Sequence, residues 1–112
     1  MNKENRKIIL RGVPASPGIT KGKAKIIFSP AEVSNFDNGD ILVAPLTNPQ
    51  YTVAILKAAA IVTDIGGILS HPAIVAREMG IPCVTGTDNA TKILKNGEEI
   101  IVDGNEGVIY SE

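Results

Sequence analysis

The chain has 112 residues, of which 44% are hydrophobic, a size and composition typical of one globular domain with its own core. Eleven basic and 12 acidic residues give a formal net charge of −1, and this balance, with 4% aromatic residues, argues against nucleic-acid binding. Residues 1–7 are expected to be a polar N-terminal tail, and they lack the apolar core of a signal peptide. No apolar run reaches the ~20 residues of a membrane span. We therefore predict one domain, residues 1–112, of a soluble, cytoplasmic protein without membrane association.

The first half of the chain predicts short strands separated by turn residues. A strand is expected at Ile8–Leu10, and the two prolines and two glycines of 12–18 predict a loop. Polar and apolar residues alternate from Lys23 towards Phe28, as in a half-buried strand. Segment 31–38 suits either a short helix or a turn, and 40–44 predicts the next strand.

The second half alternates predicted helices and strands. The expected helices run from Asn48, as N-cap, to about Ala59, from Ser70 or His71 to Met79–Gly80, and over a short stretch after Thr87 in which Ile93 and Leu94 face inward. Expected strands are 60–63, 81–84, 98–102 and 108–110, the last two as a hairpin. Six or seven short strands alternating with three helices indicate an α/β fold, a single compact domain with a mixed sheet.

The only histidine, His71, lies where an apolar strand runs through a glycine pair, Gly66 and Gly67, into the start of the second helix. Helix N-termini present unpaired N–H groups and the positive end of the helix dipole, which favour an anion. A neutral imidazole there is a nucleophile, and a phosphoryl group on it can accept hydrogen bonds from N–H groups near 70–73 and from the Ser70 hydroxyl. Because the segment lacks Gly-x-x-x-x-Gly-Lys, we predict a covalently held phosphoryl group on His71 and no nucleotide loop.

Other polar residues near this segment have both structural and functional interpretations. Thr63 can orient His71 through its hydroxyl or serve as an ordinary strand residue. Asp64 can hold the glycine turn or pair with Arg77, and Arg77 suits either an ion pair or a docking contact with a partner. Cys83 lies in an apolar segment and is expected in the core, while one histidine and one cysteine offer no ligand set for a metal.

The segment from Gly66 to Gly86 resembles the phosphohistidine signature of the mobile domain of phosphoenolpyruvate-utilising enzymes, with further similarity at 12–19, 39–49 and 102–107. This family includes phosphoenolpyruvate synthase, pyruvate phosphate dikinase and enzyme I of the sugar phosphotransferase system. The resemblance implies a swivelling β/β/α domain whose histidine carries phosphate between two distant active sites. By position it implies His71 as the carrier, Thr63 as the threonine that hydrogen-bonds it, and a surrounding loop shaped by Gly66, Gly67 and Ser70.

This sequence departs from the family pattern at three positions, which we interpret as features of a subfamily. Pro72 follows the histidine where a small residue is common, and Leu46 and Tyr51 stand where methionine and tryptophan are frequent.

The resemblance also implies partners, because 112 residues cannot encode the ATP-grasp domain and the phosphoenolpyruvate-binding barrel of the family. Mg²⁺ and ATP or phosphoenolpyruvate are expected on those partner domains, and no cofactor or metal is expected on this one. Met1 and the polar ends favour a separately encoded subunit over an excised domain. The chain is therefore predicted to be a phosphotransferase component that does not complete the reaction alone. Two alternatives are a non-catalytic regulatory or docking module in which His71 only caps a helix, and a stand-alone metabolite- or nucleotide-binding protein, which would bind ATP without any partner.

Overall fold

The computed structural model describes residues 6–112, so most of the polar tail predicted at 1–7 lies outside the described residues. Eight strands alternate with three α-helices, and 3₁₀ turns lie at Pro30–Asn35 and Pro49–Tyr51. The strands are β1 (Ile8–Arg11), β2 (Val13–Ser16), β3 (Ile19–Ile26), β4 (Ile41–Ala44), β5 (Ala60–Thr63), β6 (Cys83–Thr85), β7 (Glu99–Asp103) and β8 (Val108–Ser111). The helices are α1 (Thr52–Lys57), α2 (His71–Met79) and α3 (Ala90–Ile93), and none in 6–112 is long and apolar enough to cross a membrane.

The strands form one mixed sheet in the order β1-β8-β7-β3-β4-β5-β6-β2. The central strands are parallel neighbours, in the order β3, β4, β5 and β6. On the other side of β3 the pairing is antiparallel, from β3 to β7, from β7 to β8 and from β8 to β1. The long β3 belongs to both halves, since Ile19–Lys23 pairs with β7 and Ala24–Ile26 pairs with β4. Only Gly12 separates β1 from β2, so the two ends of the sheet are one continuous stretch of chain and the sheet curls back on itself.

Buried side chains form two main clusters on opposite faces of the parallel strands. One includes Leu42 and Ile61 with Ala54 of α1 and Ala73 of α2, and so lies between the sheet and these helices. The other includes Val43 and residues of β7 and β8, and lies inside the curled sheet. Side chains alternate along each strand, and β5 is buried on both faces because each face is covered. The predicted α/β class with a mixed sheet is confirmed, and its layers are β/β/α.

The largest difference from the sequence prediction is at 12–18, which was expected to be a loop. Residues Val13–Ser16 instead form β2, which pairs antiparallel with β6, and the register shifts between Pro14 and Ser16. Proline is compatible with a strand at a sheet edge or a bulge, where its missing N–H leaves no ladder position unfilled. Turn-forming residues therefore do not exclude a strand here.

Two helix predictions also change in detail. Asn48 accepts a hydrogen bond from the Gln50 N–H at 2.8 Å as expected of an N-cap, but the first turn is 3₁₀ and α1 ends at Lys57, with Ala58 extended. The third helix is a single turn that ends at Ile93, which was predicted to face inward but is 47% exposed. Leu94, the extended residue that follows the helix, is buried as predicted. Adjacent residues at the end of so short a helix point in different directions, so only one of the two faces the core.

Candidate functional site

The chain crosses the carboxyl ends of the parallel strands between β5 and α2. After the buried Thr63, the Asp64 N–H donates to the Ala44 carbonyl at 3.2 Å and the Ile65 N–H to the Pro45 carbonyl at 3.0 Å. These two bonds fix the start of the loop beside the end of β4. Ligands of open parallel sheets commonly bind beyond this edge, because the loops that follow neighbouring strands meet there.

The predicted second helix begins and ends where its local signals place it. Ser70 is the N-cap, His71 is the first helical residue, and Pro72 follows in the first turn, where its missing N–H costs no helical bond. Gly80 ends the helix in the left-handed conformation with φ of 72°. His71 therefore lies at the positive end of a nine-residue helix, and its side chain is partly exposed.

The imidazole of His71 is held from one side by Thr47. The Thr47 Oγ1 atom lies 2.8 Å from His71 Nδ1, and Thr47 is 3% exposed, so the hydroxyl side of this part-buried contact is shielded from water. Among the described residues 6–112, no other residue forms a hydrogen bond with the ring. Nδ1 is thus occupied, and Nε2 is the nitrogen left for chemistry.

Thr63, which the resemblance paired with His71, bonds elsewhere. Its hydroxyl donates to the Ile65 carbonyl at 2.7 Å and is fully buried. The threonine in contact with the histidine is Thr47, which sequence reasoning missed. Thr47 follows β4 by three residues, and β4 pairs with β5, so the parallel order of these strands was the signal that could have located it.

The glycine pair and Ser70 shape the loop in front of the helix. The Ser70 hydroxyl donates to the Gly67 carbonyl at 2.7 Å and makes no capping bond to its own helix. Gly66 has φ of +121°, and a Cβ built there would lie 2.9 Å from Ser70 Oγ, whereas a Cβ on Gly67 would meet nothing within 4 Å. Gly66 is therefore required by conformation and by packing, while Gly67 faces open space.

Asp64 and Arg77 each tie two elements together, and they do not pair with one another. The Asp64 carboxylate accepts hydrogen bonds from the Thr91 N–H at 2.9 Å and the Thr91 hydroxyl at 2.6 Å, which joins the loop to α3. Arg77 donates from Nη1 to the Ala15 carbonyl at 2.8 Å, which joins α2 to β2. Both contacts stabilise the scaffold of the site.

Cys83 does not contribute a reactive thiol to the site. Cys83 is fully buried, and burial raises the pKa of its thiol to about 12 despite the opposing charge of Arg77. A thiol with this pKa is protonated at neutral pH and unreactive. In the described part of the chain, no group of three or more histidine, cysteine or acidic side chains is arranged to hold a metal ion.

The sequence matches a known family over most of its length. The model of the family described as "PEP-utilising enzyme, mobile domain" matches residues 36–107, which include the loop, His71 and α2. The chain belongs to this family. Its relatives include a probable phosphoenolpyruvate synthase of Archaeoglobus fulgidus, 54% identical over 104 residues, and the phosphoenolpyruvate synthase of Pyrococcus furiosus, 52% identical over 107 residues. These matches cover 93% and 96% of this chain but only 14% and 13% of the relatives, so the chain spans about a seventh of their length.

Solved structures agree with the family assignment. A solution structure of Enzyme I matches with a TM-score of 0.61 and 34% identity over 71% of this chain and 33% of that chain. The N-terminal domain of Enzyme 1 - Nitrogen matches with a TM-score of 0.75 over 92% of this chain and 94% of that chain. Its identity is 13%, so this second likeness supports the fold alone.

Proposed function

We propose that this mobile domain is the phosphoryl carrier of a phosphoenolpyruvate synthase-type phosphotransferase. His71 accepts a phosphoryl group on Nε2 and relays it between a nucleotide site and a phosphoenolpyruvate or pyruvate site on partner domains or chains. The observation that carries the proposal is the contact between Thr47 Oγ1 and His71 Nδ1 at 2.8 Å, because it leaves Nε2 as the free nitrogen of a partly exposed ring.

The transfer requires the neutral tautomer that has its proton on Nδ1. In that tautomer Nδ1–H donates to Thr47 Oγ1, and the Nε2 lone pair attacks the phosphorus. The Nε2–P bond forms as the bond from phosphorus to the leaving oxygen of the donor breaks. The electron pair of that bond leaves with ADP when the γ-phosphoryl group of ATP is transferred, or with the enolate of pyruvate when phosphoenolpyruvate is the donor. Transfer to the acceptor reverses these bond changes.

The N-terminus of α2 stabilises the phosphorylated form of the residue. The positive end of the helix dipole favours the negative phosphoryl oxygens, which can accept hydrogen bonds from backbone N–H groups near Ala73. Because the Ser70 hydroxyl is bonded to Gly67, the role proposed for Ser70, like that of Gly66, is to hold the loop.

Mg²⁺, the nucleotide and phosphoenolpyruvate belong, in this proposal, to partner domains that occupy the remainder of the relatives' length. The predicted partner domains are an ATP-grasp domain, which binds the nucleotide, and a phosphoenolpyruvate-binding barrel. The domain would swivel between them and would work in the cytoplasm, where these substrates are found. Thr63 is assigned a structural role at the start of the loop between β5 and α2, where its hydroxyl bonds to Ile65. Asp64 ties this loop to α3, and Arg77 ties α2 to β2.

The test is phosphorylation of this chain by a full-length relative. The phosphoenolpyruvate synthase of Pyrococcus furiosus, with its own matching histidine replaced by alanine, is incubated with this chain and with labelled ATP or phosphoenolpyruvate. We expect wild-type chain to acquire an acid-labile, alkali-stable phosphate, and His71→Ala to acquire none. Phosphoramidate, a small phosphoryl donor, serves as a partner-independent control for the reactivity of His71.

Absence of label on the wild type with both donors, while the intact relative turns over under the same conditions, would instead favour the regulatory or docking module. Label that survives in His71→Ala would assign the phosphoryl group to another residue. Phosphorus NMR of the labelled wild type distinguishes Nε2 from Nδ1 attachment, and attachment at Nδ1 would contradict the geometry.

A further inference from the structure

Five large apolar side chains are exposed on the loop, the turn and the helix that flank His71. They are between 42% and 81% exposed, and we call them the apolar rim: Leu46, Ile65, Ile68, Leu69 and Ile74. Large apolar side chains that cluster at the surface commonly mark an interaction site, whereas isolated ones do not.

The apolar rim is contiguous with the phosphoacceptor. Leu46 directly precedes Thr47, and its Cδ1 would lie 3.6 Å from a Cβ built on Gly66, so it packs beside the loop. Three members lie on that loop, at 65, 68 and 69. Ile74 follows His71 by three residues on α2, which places both on one side of the helix. The rim therefore borders the histidine from the loop, the β4 turn and the helix.

The segments that carry the rim are without charge. Residues 41–56 and 65–76 contain no lysine, arginine, aspartate or glutamate, although charged residues make up 21% of the chain. Depletion of charge together with exposed large apolar side chains is typical of the centre of a protein–protein interface. Eleven of these 28 residues are buried, and the other 17 would still be expected to include several charged residues at this composition.

We infer that the apolar rim is the surface on which a phosphoryl-donating catalytic domain of a phosphoenolpyruvate synthase-type enzyme docks. The inference rests on the proposed function. In-line transfer brings Nε2 to about 3–3.5 Å from the donor phosphorus, so a domain that encloses its bound donor also covers the residues that flank His71. The relatives contain such additional chain, since this chain spans only 13–14% of their length.

The lack of charge defines how the partner is recognised. Apolar burial drives association without steering by charge, so we expect the KM for this chain to change little between 0.05 and 0.5 M salt. A partner that recognised a charged patch would lose affinity over this range.

The experiment compares two double variants of the full chain. Ile68→Ser/Leu69→Ser removes two rim side chains, and Ile8→Ser/Ile19→Ser removes two exposed side chains from the antiparallel half of the sheet. Each is assayed for phosphorylation by the full-length relative described above and by phosphoramidate, with folding checked by circular dichroism. We expect the rim variant to lower kcat/KM with the protein donor at least tenfold, mainly through KM, and to react with phosphoramidate at the wild-type rate.

Equal kcat/KM for the rim variant and wild type would overturn the inference and leave the proposed function intact. Absence of label on wild type with the protein donor overturns both. Reduced labelling of the rim variant by phosphoramidate as well would assign these residues to the ring environment and overturn docking. A concentration-dependent dimer that the rim variant abolishes, with unchanged phosphorylation, would assign the surface to a second copy of this chain.

Discussion

Removal of the Thr47 hydroxyl is the sharpest test of how the site prepares His71. Thr47→Val preserves the side-chain volume and deletes the oxygen that lies 2.8 Å from Nδ1. Since Thr47 is 3% exposed, water cannot readily replace that oxygen, and Nδ1 loses its partner. The tautomer with a free Nε2 lone pair loses the bond that favours it.

The magnitude follows from the loss of one shielded hydrogen bond. Leaving a buried polar group without its partner costs about 1–3 kcal/mol, and every 1.36 kcal/mol in the barrier is a factor of ten in rate. We therefore expect phosphorylation of His71 to slow by roughly 5- to 150-fold in Thr47→Val. Thr47→Ser retains the hydroxyl, and its rate should lie within about threefold of wild type.

Two readouts distinguish this positioning role from a loss of structure. Nitrogen-15 NMR of the ring should show Nδ1–H as the predominant neutral tautomer in wild type and Thr47→Ser, and a mixture of tautomers in Thr47→Val. Phosphoramidate should react more slowly with Thr47→Val as well, because the ring itself is altered. A Thr47→Val protein with wild-type tautomer and with both rates within twofold of wild type would refute the reasoning.

Three further predictions concern the scaffold. Gly66→Ala should lower the free energy of unfolding by about 1–3 kcal/mol in urea titrations, because Gly66 has φ of +121° and a Cβ there would lie 2.9 Å from Ser70 Oγ. Gly67→Ala is the matched control and should change the free energy of unfolding by less than about 0.5 kcal/mol, because a Cβ there meets nothing within 4 Å. Asp64→Ala should cost about 1–3 kcal/mol in the same assay by removing both acceptors of Thr91; an unchanged urea midpoint would contradict this. Because burial raises the pKa of Cys83 to about 12, about one thiol in ten thousand is ionised at pH 8, so iodoacetamide should modify the unfolded chain and spare the folded one.

Features decided by short-range chemistry were predictable from the sequence. The start of α2 follows from the proline in its first turn, and its end from Gly80, whose left-handed conformation suits glycine. Ser70 occupies the N-cap position as predicted, but its hydroxyl bonds to Gly67 instead of capping the helix. Each of these signals acts within one helical turn of its residue. The position of His71 at a helix N-terminus therefore follows from its neighbours in sequence, whatever the remainder of the fold.

Features decided by the order of strands were not predictable in this way. The Thr47 contact joins residues 24 positions apart, and it forms because β4 and β5 are adjacent parallel strands whose carboxyl ends lie together. Strand β2 was missed for a related reason: its prolines and glycines predict a turn locally, but β6 offers an edge on which Val13–Ser16 can pair. In both cases a partner distant in sequence decides the outcome.

In the proposed role, the charge around His71 determines how readily the carrier releases the phosphoryl group that it accepts. The segments that border His71, 41–56 and 65–76, contain no lysine or arginine, so they provide no side-chain cation to neutralise a phosphoryl group on Nε2. In the proposed role, this domain contributes only the partial charge of a helix N-terminus, worth about 0.3–1 kcal/mol at an exposed site. A fixed arginine or lysine would bind the phosphoryl oxygens far more tightly and would oppose transfer. Stronger neutralisation must then come from each partner site in turn, so the phosphohistidine remains reactive between them.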